Sequence, residues 1–317
     1  MSKLKIVFMG TPDFAVPILR GLIDNYNVLL VVSQPDREKD RKGNVLPTPI
    51  KKLATDNNIL VFSPNKIKED YQKILDVKPD LIVTCAYGQI IPDEVINYPK
   101  YGCINVHGSL LPKLRGGAPI HWAIINGDKK TGITIMHMTS KMDAGDIISQ
   151  REVEIKEDDN LDSLYEKMSY IGRDLLLETI PKIVDGTANR KKQNENEVTF
   201  GFNIKKEEEK IDFNNSAVSI NNLVRGLSSN PGAYCFLDNK RLKIYKTIVL
   251  DKNSSFLPGT IEDIDDGLIV STKDKLLKII DIKIEGKNRC KVKDYLNGID
   301  KNNLKGKVLK WRIMKSM

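Results

Sequence analysis

The chain has 317 residues, of which 40% are hydrophobic and 29% are charged, and its formal net charge is +8. This composition is ordinary for a globular protein, and no apolar run is long enough to span a bilayer. A chain of this length usually forms more than one hydrophobic core, so we expect two domains.

The chain enters a strand-like run at once, from Leu4 to Phe8, so we expect no signal or transit peptide. Scattered cysteines without a Cys-x-x-Cys pair are typical of buried thiols in a reducing compartment. The four cysteines of this chain are Cys85, Cys103, Cys235 and Cys290. We therefore expect a cytoplasmic protein.

Apolar runs of strand length alternate with segments of helical length through the first half of the chain. The runs are Ile6 to Met9, Val28 to Val32, Ile59 to Phe62, Leu81 to Cys85 and Cys103 to His107. This alternation predicts an α/β domain with a doubly wound, mostly parallel, Rossmann-like sheet. Thr11 is expected to cap the first helix, with Pro12 at its first position. Because no Gly-x-Gly-x-x-Gly or phosphate-loop pattern follows, NAD and ATP are not expected.

Two polar residues lie on one face of the run Cys103 to His107. Alternate side chains of a strand share a face, so Asn105 and His107 point the same way while Ile104 and Val106 point to the other. Gly108 ends the strand and places both at its carboxyl end, where open α/β sheets bind ligands. Asn can donate to a developing oxyanion and His can carry a proton, which indicates half of an acyl-transfer site.

Such a site needs a carboxylate that orients the imidazole, and Asp143 is the candidate. It lies in the loop Ser140 to Asp146, between the alternating segment Ile133 to Met138 and the strand-like run Ile147 to Ile155. Two simpler interpretations stay open. Asp143 can be only a turn residue, and Asn105 and His107 can be a hydrogen-bonded pair inside a core.

The three histidines, His107, His121 and His137, fall within one short segment and suggest a zinc site beside Asp143. None of their spacings fits the usual ligand motifs on a helix or a turn, so no metal is expected. His121 and His137 are therefore interpreted as structural.

The pattern changes after a long predicted helix from about Asn160 to Val184. The polar stretch Ala188 to Lys210 is typical of a surface crossing between domains. The short strands that follow suggest a small barrel of the OB type. They run over Gly232 to Leu237, Leu242 to Val249, Gly259 to Ile264, Gly267 to Ser271 and Leu276 to Lys283. The expected division is a catalytic domain at 1–187, a linker at 188–207 and an OB-like domain at 208–317.

Positive charge is concentrated in the C-terminal half. From Glu208 onward there are 21 basic and 14 acidic residues, against 29 and 28 before it. A basic barrel beside an enzyme domain suits a polyanionic substrate held through its phosphates. The alternative is a solvated, lysine-rich surface that reflects base composition.

Three motifs together resemble a known family. They are Ile104 to Pro112 (Ile-Asn-Val-His-Gly-Ser-Leu-Leu-Pro), Arg115 to Ile120 (Arg-Gly-Gly-Ala-Pro-Ile) and Asp143 to Asp146 (Asp-Ala-Gly-Asp). In this combination the chain resembles the 10-formyltetrahydrofolate-dependent formyltransferases over essentially its whole length, most strongly up to about Glu154. The opening Phe8 to Ala15 and the loop Ser33 to Arg37 narrow the resemblance to members that formylate initiator methionyl-tRNA for translation initiation.

The resemblance implies roles for individual residues. Asn105, His107 and Asp143 would be catalytic, and the folate co-substrate 10-formyltetrahydrofolate would be the formyl donor, without a metal. The folate pocket would be lined by Ser109, Leu110, Leu111 and Pro112, with the backbone near Gln89, Ile90 and Ile91 against the pterin. The tRNA would be contacted by Arg41 and its basic neighbours Arg37 and Lys42, and by the OB-like domain. Initiator methionyl-tRNA and the folate are the expected partners of a monomer that does not bind membranes.

Two other functions stay open. A folate-dependent N-formyltransferase acting on an amino sugar nucleotide or a small ribonucleotide would keep the same three catalytic residues. A non-catalytic tRNA-binding module would be expected to have lost at least one of them, and all three are present.

Overall fold

The computed structural model describes residues 3–37 and 43–311. The chain divides into two compact units. The first comprises Met1–Pro119, Lys130–Glu154 and Tyr165–Phe202, and the second comprises Ile120–Lys129, Ile155–Leu164 and Asn203–Met317. Each unit is therefore assembled from separate stretches of the sequence.

A seven-stranded sheet forms the centre of the first unit, in the order β3-β2-β1-β4-β5-β6-β7. Strands β1 to β5 pair in parallel, whereas β6 and β7 are added antiparallel at one edge. The predicted α/β fold with a mostly parallel sheet is confirmed. The strands are β1 (Lys5–Gly10), β2 (Asn27–Val32), β3 (Leu60–Phe62), β4 (Leu81–Cys85), β5 (Cys103–His107), β6 (Lys130–His137) and β7 (Ile147–Glu154).

Helices follow the strands, as the alternating pattern predicted. They are α1 (Val16–Asn25), α2 (Pro49–Asp56), α3 (Gln72–Asp76), α4 (Asp93–Ile96), α5 (Pro119–Ile125) and α6 (Leu161–Val184). All five residues of β4 are buried. The central strands are continuous apolar runs because a parallel sheet is covered on both faces.

The prediction that Thr11 caps the first helix is wrong. Pro12 is the N-cap of a short 3-10 turn over Asp13–Ala15, and α1 begins only at Val16. The Thr11 hydroxyl instead donates a hydrogen bond to the Tyr87 carbonyl oxygen at 3.1 Å. Thr11 thereby links the chain after β1 to the chain after β4, at the sheet edge where such folds bind ligands.

The second unit contains an antiparallel sheet in the order β10-β11-β12-β9-β8, with β13 paired to β12. Its strands are β8 (Ala233–Leu237), β9 (Lys240–Asn253), β10 (Ile261–Ile264), β11 (Leu268–Ser271), β12 (Lys275–Ile284) and β13 (Cys290–Lys291). Bridges from Val308 to Thr260 and from Lys310 to Phe236 join one segment to both edges of the sheet, as in a closed barrel. Helices α7 (Ala217–Gly226) and α8 (Val292–Leu296) complete the unit. The prediction of a separate small β domain of OB-like type is confirmed.

The four cysteines are free thiols. Burial raises the pKa of three of them, Cys85, Cys103 and Cys235, whereas Cys290 is half-buried. Across residues 3–37 and 43–311, no helix has both the length and the hydrophobicity to cross a membrane.

Candidate active site

Asn105 lies in β5, directly beside Thr84 of β4 in the parallel register. The buried Thr84 hydroxyl is 2.8 Å from Asn105 Oδ1 and 3.2 Å from the Ile104 carbonyl oxygen. The bond to Thr84 engages the amide oxygen of Asn105, and its NH₂ group is the part of the side chain that can donate to a ligand. Strand β4 thus orients the amide that the sequence singled out.

His107 ends β5 and has an oxygen atom near each ring nitrogen. Its Nε2 is 3.1 Å from the Leu114 carbonyl oxygen, and its Nδ1 is 3.7 Å from Asp143 Oδ1. A carbonyl only accepts, so Nε2 carries a proton here, and the Asp143 carboxylate lies on the Nδ1 side of the ring. The His107 side chain is only 6% exposed, so little water competes for these positions. The two oxygens hold the ring in one orientation.

Asp143 has a positive backbone φ of 50° and a half-buried side chain. Its Oδ1 faces His107, and its Oδ2 accepts a hydrogen bond from the Gly116 amide at 2.8 Å. The sequence left open whether this aspartate only shapes a turn. It occupies a turn conformation, and its carboxylate is also directed at the histidine.

Gly116 is required by the loop that faces Asp143. Its φ is +122°, and a Cβ placed there would lie 2.8 Å from the Gly201 carbonyl oxygen. Any larger residue would therefore strain the backbone and push the two segments apart. The amide that holds the Asp143 carboxylate depends on this close approach.

The residues predicted to line the folate pocket form a tightly held loop after β5. Ser109 Oγ donates to the Lys113 carbonyl oxygen at 2.6 Å. On β6, the buried Thr134 hydroxyl donates to the Ser109 carbonyl oxygen and accepts from the Leu111 amide. The side chains of Ser109 and Leu111 are buried, and those of Leu110 and Pro112 are half-buried. The loop is fixed to the sheet and offers its backbone and partly open side chains to a ligand.

The three residues predicted to lie near the pterin, Gln89, Ile90 and Ile91, differ in their exposure to solvent. Gln89 lines a cavity of about 720 Å³ and donates to Gln34 Oε1 at 3.2 Å. Ile90 is 68% exposed, whereas Ile91 is 4% exposed and packs in the core. A role for Ile91 in ligand binding is therefore restricted to its backbone.

This cavity lies at the carboxyl ends of β1, β2 and β4, where Thr11, Gln34 and Gly88 line it. Strand β1 has β2 on one side and β4 on the other, so the cavity lies at the switch in strand order where open α/β sheets bind ligands. Its wall includes the exposed Arg37. Arg41 and Lys42, the other predicted tRNA contacts, lie outside the described residues.

The other two histidines stay apart from this chemistry. Burial lowers the pKa of His121 to about 4. Burial and the positive charge of Arg190 lower the pKa of His137. In the part of the chain that the structure describes, no group of three His, Cys, Asp or Glu residues could hold a metal ion.

Sequence reasoning assigned no role to three residues that organise this site. They are Thr84, which orients Asn105, and Arg115 and Gln193, which contact each other close to Asp143. Thr84 offered a usable signal, because it is the only hydroxyl residue in the apolar run Leu81 to Cys85. Gln193 offered none, since it lies in a polar run typical of a solvated surface.

Comparison with known proteins agrees with this geometry. A family model described as formyl transferase matches residues 4–180, and a second described as formyl transferase, C-terminal domain, matches residues 203–300. The methionyl-tRNA formyltransferase of Malacoplasma penetrans is 46% identical over 296 residues, covering 93% of each chain. The chain belongs to the methionyl-tRNA formyltransferase family. A second member, from Bacillus thuringiensis, is 49% identical over 300 residues, which cover 93% of this chain and 96% of the relative.

A solved structure shares the fold at lower sequence identity. It is a sugar 3N-formyl transferase determined in the presence of dTDP and 5-N-formyl-THF, with a TM-score of 0.67 and 21% identity. The match covers 91% of this chain and 100% of the other. The likeness establishes a common architecture for proteins that differ in sequence.

Proposed function

We propose that this protein transfers the formyl group of 10-formyltetrahydrofolate to the α-amine of methionyl-initiator tRNA. The observation that carries the proposal is the Asn105, His107 and Asp143 arrangement at the carboxyl end of β5, in a chain of this family. The product is formylmethionyl-tRNA for translation initiation, together with tetrahydrofolate.

The α-amine attacks the formyl carbon, and a new C–N bond forms while negative charge develops on the formyl oxygen. The Asn105 NH₂ group donates to this oxygen, and the His107 imidazolium supplies a second donor and positive charge. Since His107 Nε2 donates to the Leu114 carbonyl oxygen before substrate binds, the ring exchanges this bond for one to the formyl oxygen. Preorganised donors of this kind are worth about 3–4 kcal/mol each.

Asp143 orients and polarises the imidazole through the 3.7 Å approach of its Oδ1 to Nδ1. The C–N bond to the folate N10 then breaks. The proton lost by the attacking amine passes through the Asp143–His107 pair or a water molecule to the departing nitrogen, so charge is balanced.

The folate is proposed to bind at the loop Ser109, Leu110, Leu111 and Pro112, and along the backbone of Gln89, Ile90 and Ile91. The cavity beside Arg37 is proposed to admit the acceptor end of the tRNA. Arg41 and Lys42, which follow Arg37 in the sequence, are proposed as further tRNA contacts. The excess of basic residues after Glu208 supports further phosphate contacts.

The proposed division assigns residues 1–187 to catalysis, 188–207 to a linker and 208–317 to tRNA binding. We further propose that the protein acts as a monomer in the cytoplasm.

The test is transfer of labelled formyl from 10-formyltetrahydrofolate to a panel of acceptors. Methionyl-initiator tRNA is expected to be labelled much faster than methionyl-elongator tRNA or a dTDP-linked amino sugar. Labelling of the amino sugar with none of either tRNA would refute the proposal and favour a small-substrate formyltransferase.

A further inference from the structure

After α6, the chain returns to the loops that hold the candidate catalytic residues. Lys191 forms a two-bond bridge with Ile147 at the start of β7, with N···O distances of 2.8 and 2.9 Å. Farther on, the Arg115 amide donates to the Thr199 carbonyl oxygen, and the Gly201 amide donates to the Arg115 carbonyl oxygen. The stretch 191–201, which the sequence indicated as a surface crossing, is thus attached to the first unit at both ends.

Gln193 lies between these two attachments, and its amide makes four hydrogen bonds. Its Nε2 donates to the carbonyl oxygens of Asp143 and Gly145, each at 2.8 Å. Its Oε1 accepts from Arg115 Nε at 3.1 Å and from Arg115 Nη2 at 2.9 Å. Two N–H donors and two oxygen lone pairs are the full capacity of a primary amide, so this half-buried side chain has a single well-defined orientation.

Arg115 makes that orientation rigid. It is only 5% exposed, and besides Gln193 its guanidinium donates to both carboxylate oxygens of Glu195, at 2.8 and 3.2 Å. The pair with Arg115 lowers the pKa of Glu195. A planar fork held by an amide on one side and a carboxylate on the other has little freedom to rotate.

The two carbonyls that Gln193 binds flank Ala144, immediately beside the catalytic carboxylate. Asp143 has its backbone in the left-handed region, which a non-glycine residue adopts only when its surroundings hold it there. Gln193 supplies such restraint from one side, and the Gly116 amide binds the carboxylate from the other. The two contacts together fix the direction in which Oδ1 faces His107.

We propose that Gln193, locked by Arg115, is a positioning residue that holds the Asp143 backbone so that its carboxylate meets His107. The inference rests on the proposed catalytic role of Asp143. It makes the connecting segment part of the catalytic centre, although Gln193 itself touches no reacting atom.

The decisive variant in the full-length protein is Gln193→Glu. It keeps the size of the side chain and the acceptor for Arg115, but replaces both donors to the Asp143 loop by a carboxylate that the two carbonyls repel. We expect kcat for formyl transfer to fall about 10- to 100-fold, because small displacements of a catalytic group have effects of this size. KM values for folate and tRNA are expected to change less than about threefold. The matched control is Asn196→Ala, an exposed side chain in the same segment.

A second readout does not depend on activity. Hydrogen exchange of the Gly116 amide, which donates to Asp143, should accelerate at least about tenfold in Gln193→Glu and stay unchanged in Asn196→Ala. Gln193→Leu removes all four hydrogen bonds and should also accelerate exchange of the Gly116 amide. The denaturant midpoint of unfolding of this variant shows whether the faster exchange reflects local loosening or global instability. Parental kcat in Gln193→Glu, or a lower kcat with unchanged Gly116 exchange, would overturn the inference. If the parent protein formylates no tRNA, the proposed function fails. The exchange measurement still tests whether the hydrogen bonds of Gln193 hold the Asp143 loop in place.

Discussion

Replacing Asp143 by asparagine removes the negative charge and keeps the size and shape of the side chain. The amide can keep the acceptor for the Gly116 N–H, while its NH₂ group turns toward His107 Nδ1. Because the Leu114 carbonyl requires a proton on Nε2, the histidine is then held neutral, with Nδ1 as an acceptor. The variant should fold normally and lose the negative charge that faces the ring.

The size of the effect follows from the 3.7 Å separation of Nδ1 and Oδ1. At an effective dielectric constant of about 20, two unit charges at this distance attract by about 4.5 kcal/mol. Side-chain exposures of 6% and 14% leave little screening by solvent. Since the amide dipole recovers part of this energy, we expect about 3–4 kcal/mol, which is a loss of about 100- to 1,000-fold in rate. Because the bond to Gly116 is kept, the variant should still fold, and its denaturant unfolding midpoint checks this.

Single-turnover formyl transfer with both substrates saturating measures this loss directly. Asp146→Asn is the matched control, since Asp146 lies in the same loop but pairs with Arg190. A parental rate in Asp143→Asn would show that Asp143 is only a turn residue, and the electrostatic reasoning would be wrong.

Three further predictions concern other parts of the molecule. Thr84→Val removes the hydroxyl that orients Asn105, so the single-turnover rate should fall about tenfold, and the free energy of unfolding should fall by about 1 kcal/mol. An unchanged rate would show that Asn105 does not need this hydrogen bond. Arg41→Ala should slow formylation of charged tRNA strongly and leave folate affinity unchanged, and equal rates across a salt series would exclude a tRNA contact. His121 has a pKa lowered to about 4 in the folded protein, so its contribution to stability is complete above about pH 6.5 and is lost as the pH falls toward 4. Between pH 7.5 and 5 this loss is at most about 2 kcal/mol in denaturant unfolding, and it should be absent in His121→Gln.

Much of the fold could be predicted because strand periodicity is a local property. Each of the five predicted strands of the first half overlaps a strand of the sheet, and the long helix ends at Val184 as expected. The start of α1 could not be predicted correctly, because Thr11 is engaged by the Tyr87 carbonyl, a partner 76 residues away. A capping preference describes an isolated helix and does not include such tertiary bonds.

The candidate site was predictable where its residues share a strand and not where distant segments meet. The common face of Asn105 and His107 follows from the alternation of one strand, and Asp143 was the acid of a loop between two strand-like segments. The contacts of Gln193 with Asp143 and Arg115 join positions 50 and 78 residues apart. No local pattern marks such a residue, because its role is created only when the polar stretch folds back on the catalytic loop.

The central claim is that the face of β5 carries the chemistry, and the single-turnover rate of His107→Ala tests it most directly. With saturating 10-formyltetrahydrofolate and methionyl-initiator tRNA, we predict a rate about 100- to 1,000-fold below that of the parent protein, with binding of both substrates retained. Asn105→Ala should show a loss in the same range. A rate near the parental value in His107→Ala would contradict the account.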